Sequence, residues 1–146
     1  MPLLDQPIST PSAWSPDDIA SRTDWQVQLT PDQTDELRQE SESIADPKRP
    51  WTAIPREAFT LESWNDLLTD LRTQLEGGLG FALLRSLPVA DVTPHVAHTM
   101  LWGLGQRLGC PDIQDAAGNL VHDVRDTGKD LNSDNIRAYQ TKLPIH

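Results

Sequence analysis

The 146-residue chain predicts an α+β fold with its helices early and its strands late. Three observations carry that expectation. Two Thr-Pro helix starts stand at Thr30-Pro31 and Thr93-Pro94. An apolar stripe of helical period runs from Trp64 to Leu75, and short strand-like runs separated by turn residues fill the stretch after Pro111.

Residues 1–29 are rich in Pro, Ser, Asp and Thr, with Trp14 and Trp25 as isolated large apolar groups. They read as an extended arm docked by its tryptophans, the alternative being a disordered tail. Residues 30–146 form the second segment. At Thr30-Pro31-Asp32 a capping hydroxyl, a proline at the first helical position and an acid at the positive end of the dipole start a helix that runs to about Ile44. Its apolar face is thin (Leu37, Ile44), so Asp35, Glu36, Glu40 and Glu42 read as a solvated face. Pro47, Pro50 and Pro55 break regular structure around Trp51.

A second helix begins near Thr60, with Trp64, Leu67, Leu68, Leu71 and Leu75 as one buried stripe, and Gly77-Gly78 end it with a left-handed cap. Gly80-Phe-Ala-Leu-Leu-Arg85, bounded by glycine and by Leu87-Pro88, suits a strand buried on both faces. The third helix starts at Thr93-Pro94 and turns Val96, Ala97, Met100, Leu101, Leu104 and Leu108 inward. Gly103 and Gly105 would allow close backbone approach, and Gly109-Cys110-Pro111 terminates it. Residues 119–124 and 136–141 read as strands and 126–128 as a turn. No repeat is visible.

Composition narrows the function classes. A net charge of −10 and a pI near 4.6 disfavour nucleic acid and anionic lipid, because those partners are held by Lys and Arg. No apolar run approaches the roughly 20 residues that span a bilayer, and residues 1–6 offer no secretory signal. The single Cys110 has no internal disulfide partner and reads as a small buried apolar residue. A protein of a reducing cytoplasm is expected. Hydrophobic content of 37% with 12 prolines makes a large self-sufficient core doubtful, and the chain reads either as one domain or as part of a larger one.

No phosphate loop, Cys-x-x-Cys, His-Glu-x-x-His or Gly-x-Ser-x-Gly motif is present. His95 and His98, three apart on a helix, lack a nearby carboxylate or thiolate and read as partly exposed helix residues. His122-Asp123 falls in a strand, where neighbours point to opposite faces. Arg85 reads as the partner of a scaffold carboxylate. His146, delivered by a strand and Pro144, has the side chain that most often ligates first-row metals.

Taken in order, Gly78-Leu-Gly-Phe81, Leu83 to Val89, Gly105, Leu108-Gly109, Pro111, Gln114, Gly118, Val124 to Gly128, Arg137 to Thr141 and Leu143 to His146 resemble the TauD/TfdA-like iron(II)- and 2-oxoglutarate-dependent dioxygenases. The resemblance implies N-terminal helices plus the first strands of a double-stranded β-helix (jelly roll, clavaminate synthase-like), left incomplete in this chain. It also implies oxidation of a small organic substrate, usually hydroxylation, coupled to decarboxylation of 2-oxoglutarate to succinate. In that family a His-x-Asp pair and a distant second His hold the iron, and His146 is either the first ligand or lies just before it. Gln114, Val124, Asp126, Tyr139 and Thr141 are the corresponding candidates for the substrate pocket. The Asp partner, the distal His and the 2-oxoglutarate-clamping Arg have no counterpart in the 146 residues. The chain on its own is therefore expected to be inactive, to bind neither iron nor 2-oxoglutarate stably, and to expose sheet edges suited to self-association. The alternative is a non-catalytic interaction protein that keeps this scaffold.

Overall fold

Thr30 does what its position predicts. Its hydroxyl accepts from Gln33 N at 3.2 Å while Gln33 Oε1 accepts from Thr30 N at 3.0 Å, a reciprocal capping box that opens helix α2, Pro31–Ile44. The structure is a computed structural model that describes residues 8–121. It divides at Cys110–Pro111 into two units.

In the first unit the order is α1 (Pro16–Ile19), β1 (Gln26–Gln28), α2, α3 (Asn65–Gly77), β2 (Leu83–Arg85) and α4 (Pro94–Leu108), with three short 3-10 turns between residues 51 and 64. The strands β1 and β2 pair in parallel, Gln26 opposite Leu83 and Gln28 opposite Arg85, with α2 and α3 in the crossover between them. The core gathers where α2, α3 and α4 meet the turns at 51–64: Leu37, Phe59, Leu61, Trp64, Leu71 and Met100 are all buried.

The 1–29 segment is not extended throughout. Its described part contains the helical turn α1 and the strand β1. Trp14 and Trp25 both lie against Phe81, with ring centroids 5.1 Å and 5.6 Å away, and Trp14 Nε1 donates to Leu79 O. Four of the five tryptophans donate the indole N–H to a backbone carbonyl, Trp25 to Arg22, Trp64 to Gln33 and Trp102 to Ile54 being the others. These bonds satisfy the polar end of the side chain; the rings of Trp64 and Trp102 are buried, whereas Trp14 stays partly exposed.

Several expectations are corrected. Helix α3 begins at Asn65, after a 3-10 turn at Glu62–Trp64 that follows Leu61 in the left-handed region (φ 47°, ψ 54°). Its stripe is buried at Trp64, Leu68 and Leu71, whereas Leu67 is half-buried and Leu75 is 40% exposed. The chain turns away before the stripe is complete, and Leu79 takes the last core place instead. The helix does not end in a left-handed glycine cap: Gly78 has φ −103°, and the positive φ falls at Gly80 (81°), whose N–H joins that of Gly78 on the Gln74 carbonyl.

Strand β2 is not buried on both faces. Leu83 and Arg85 are exposed and Leu84 half-buried, because among the described residues the strand has β1 as its neighbour and no layer over its outer face. Helix α4 keeps Met100 and Leu104 inside, but Leu101 is 55% exposed, and Val96, Ala97 and Leu108 are half-buried. Its inward face is instead completed by Trp102, Thr99 and Gly103. Cys110 is exposed rather than buried, because it sits beyond the helix end.

The second unit is described over residues 111–121, a loop without strand structure. The strand expected at 119–124 is therefore not found at 119–121. The rest of it, the turn at 126–128 and the strand at 136–141 lie outside the described residues.

Candidate functional site

Of the predicted pocket residues the structure describes Gln114. It is exposed on the 111–121 loop, where its N–H donates to Asn119 O at 2.7 Å and its side-chain amide donates to Asp112 O at 3.0 Å. Asp115 closes the same loop by accepting from Ala117 N, Asn119 N and Asn119 Nδ2. Gln114 is thus satisfied locally. Val124, Asp126, Tyr139, Thr141 and His146 lie outside the described residues, as does His122-Asp123.

The other histidines are brought into packing positions. His98 lies over Trp51, ring centroids 5.2 Å apart, and Trp51 in turn meets Trp102 edge-on at 5.7 Å. His95 is half-buried, with its Nε2 enclosed and without a hydrogen-bond partner. Among the described residues no three His, Cys, Asp or Glu side chains converge as metal ligands. Catalytic iron needs such a set, so these residues do not fit it, and no reaction step is assigned to them. Among the described residues Arg85 pairs with no carboxylate: its Nε and Nη2 donate to Gln26 Oε1 across the β1–β2 pair at 3.0 Å and 2.7 Å.

A concavity unmarked by the motifs does appear in the first unit. It encloses about 570 Å³ between β1, the second half of α3 and the glycine turn that follows. Val27, Leu67, Leu71 and Ala82 supply apolar walls, and Asp24, Asp70, Thr73 and Gln74 supply polar groups. The signal was present in the sequence. Asp70, Thr73, Gln74 and Gly77 follow an i, i+3, i+4, i+7 spacing that lays a polar stripe beside the apolar one. Asp24 is already held by Arg22, at 2.9 Å and 2.5 Å, and this guanidinium keeps its carboxyl below the usual aspartate range.

No protein-family model matches the chain. Over 147 aligned residues it is 31% identical to FR-33289 synthase of Streptomyces rubellomurinus (strain ATCC 31215). The chain is similar to a synthase. The match covers 99% of this chain and 43% of the synthase, so the chain spans less than half the length of this curated relative. Among the described residues no helix is long and apolar enough to cross a membrane.

Proposed function

We propose that this chain is the N-terminal, helix-rich portion of a non-haem iron(II)- and 2-oxoglutarate-dependent dioxygenase of the TauD/TfdA-like type that oxidises a small organic molecule. The observation that carries the reading is the similarity to FR-33289 synthase, which runs along 99% of the chain. The ordered series from Gly78 to His146, which resembles that family in the sequence itself, supports the same reading. Bound iron would supply oxygen activation coupled to decarboxylation of 2-oxoglutarate.

In this reading residues 8–110 are scaffold. They hold no ligand set, and their strongest interactions, the capping carboxylates of α2 and the tryptophan N–H bonds, fix the packing of helices rather than a reacting group. The metal chemistry would begin at the His146 end, with the rest of the jelly roll supplied by residues equivalent to the remainder of the relative.

A chimaera tests it. Residues 1–146 replace the matching stretch of the Streptomyces synthase, and succinate release from 2-oxoglutarate is measured with and without iron(II). Iron-dependent succinate formation is expected, with a loss of at least about 100-fold in a His146→Ala chimaera if that imidazole ligates the metal. A folded chimaera that leaves 2-oxoglutarate untouched would sink the reading. In this reading an iron(II)–2-oxoglutarate complex is not expected from the chain alone on titration, and among the described residues no metal-ligand set converges.

A further inference from the structure

The cleft between β1 and α3 has the chemistry of a binding site for which the dioxygenase reading provides no use. We propose that it binds a small organic ammonium ion carrying an apolar body, an arylalkyl amine being the simplest example. Its volume of about 570 Å³ falls in the range of roughly 300–1,000 Å³ usual for small-molecule sites. Its apolar side is formed by Val27 from β1, Leu67 and Leu71 from α3, and Ala82 from the turn before β2.

The polar side decides the charge of the ligand. No Lys, Arg or His lines the cleft, whereas Asp24 and Asp70 both do, so an anion is repelled from it. Asp24 is largely neutralised by Arg22. Asp70 has no ion-pair or hydrogen-bond partner among the described residues and stands one helical turn from Gln74, whose side-chain amide has none there either. The Thr73 hydroxyl donates to Thr69 O at 3.0 Å and keeps its lone pairs. A carboxylate, an amide oxygen and a hydroxyl oxygen thus offer acceptors along one stripe of α3. An ammonium group, which has three donors and no acceptor, complements that set, while a hydrocarbon or aromatic part fills the apolar side.

The proposal does not depend on the dioxygenase reading. Phenethylammonium, neutral 2-phenylethanol and anionic phenylacetate are titrated separately into the isotope-labelled full chain at low ionic strength, and amide signals are followed by NMR. Saturable shifts clustered at Leu71, Gln74, Gly78 and Ala82 are expected with the amine. Binding of the alcohol should be weaker by about 5-fold, the worth of one partly exposed charge contact, and phenylacetate should not saturate. Asp70→Asn should weaken the amine by a similar factor, whereas Asp66→Asn, which makes the same charge change one turn away and outside the cleft, should leave it unchanged. Ala82→Leu should remove binding by occupying the apolar side. Equal affinity for amine and alcohol, equal loss in the Asp66 and Asp70 variants, or shifts that map away from the cleft would each overturn the proposal.

Discussion

Glu36 and Glu40 show how much a single carboxylate can organise. Both sit on the acidic face of α2 that reads as solvated, yet Glu36 accepts from Glu62 N and Ser63 N at 2.7 Å and 2.9 Å, and Glu40 accepts from Thr60 N and Leu61 N at 3.0 Å and 3.1 Å. The hydroxyls of Ser63 and Thr60 donate to the same two carboxylates. They act as caps supplied from another element for the backbone N–H groups that a helix start leaves unpaired. Glu40→Ala should therefore destabilise the chain by about 1–2 kcal/mol in urea unfolding. Glu42→Ala, exposed on the same helix, should stay within about 0.5 kcal/mol. Nothing in the spacing of the acids separates Glu36 and Glu40 from Asp35 and Glu42, because their partners lie 20 to 27 residues away; this part of the structure was not legible locally.

At the scale of elements, the boundaries set by caps and prolines were legible and the buried faces only partly so. Helices α2 and α4 begin where Thr30-Pro31 and Thr93-Pro94 place them, since those signals act within one turn. The faces depend on which neighbours arrive. Trp102 displaced Leu101 from the core because its N–H reaches Ile54 O at 2.9 Å, a contact 48 residues distant in sequence. The two glycines inside α4 then have different reasons to exist. A Cβ at Gly103 would lie 2.5–2.7 Å from the buried Phe59 ring, whereas one at Gly105 would meet nothing within 4 Å. Gly103→Ala should accordingly cost about 1–2 kcal/mol, the overpacking penalty less the gain in helix propensity. Gly105→Ala should stabilise by about 0.5–1 kcal/mol. Opposite signs in thermal unfolding are the expected result, and equal signs would show that the Phe59 contact does not constrain the helix.

For the whole molecule, charge is the dominant fact. The chain carries 22 acidic against 12 basic residues, and acidification therefore has two effects of opposite sign. Protonation relieves the general repulsion, but it also removes specific bonds in the segment that contains α1 and leads into β1. There the Ser15 hydroxyl and backbone N–H, both at 2.7 Å, hold Asp18 below the usual aspartate range, and Arg22 does the same for Asp24. A lowered folded-state pKa means that the stabilisation is present above the unfolded value and is lost as pH falls through the folded one. Side-chain carboxyl NMR should give both residues midpoints below that of an unpaired aspartate, with the amide signals of residues 15–25 broadening only as those midpoints are passed. Midpoints at the ordinary value would remove both bonds from the account. The mixture of helix and strand was legible from periodicity over 30–110, although β2 proved a half-exposed strand. The predicted site was carried almost entirely by residues after Val121, so of its members the structure places Gln114 in a locally satisfied loop. The polar stripe of α3 escaped because an i, i+3, i+4 pattern of Asp, Thr and Gln looks like any wet helix face until Val27 of β1 is seen to line the same concavity.

Leu61 carries a consequence for the order in which the chain is made. A leucine in the left-handed region costs about 1–2 kcal/mol, and here it is wholly enclosed beside a turn whose N–H groups are tied to α2. Glu36 and Glu40 precede residues 60–63 in the chain, so both carboxylates are synthesised before the backbone N–H groups they accept from. A synthetic peptide of residues 60–78 would have to start its helix without them, and the bend at Leu61 belongs to a pair of helices rather than to the one it introduces.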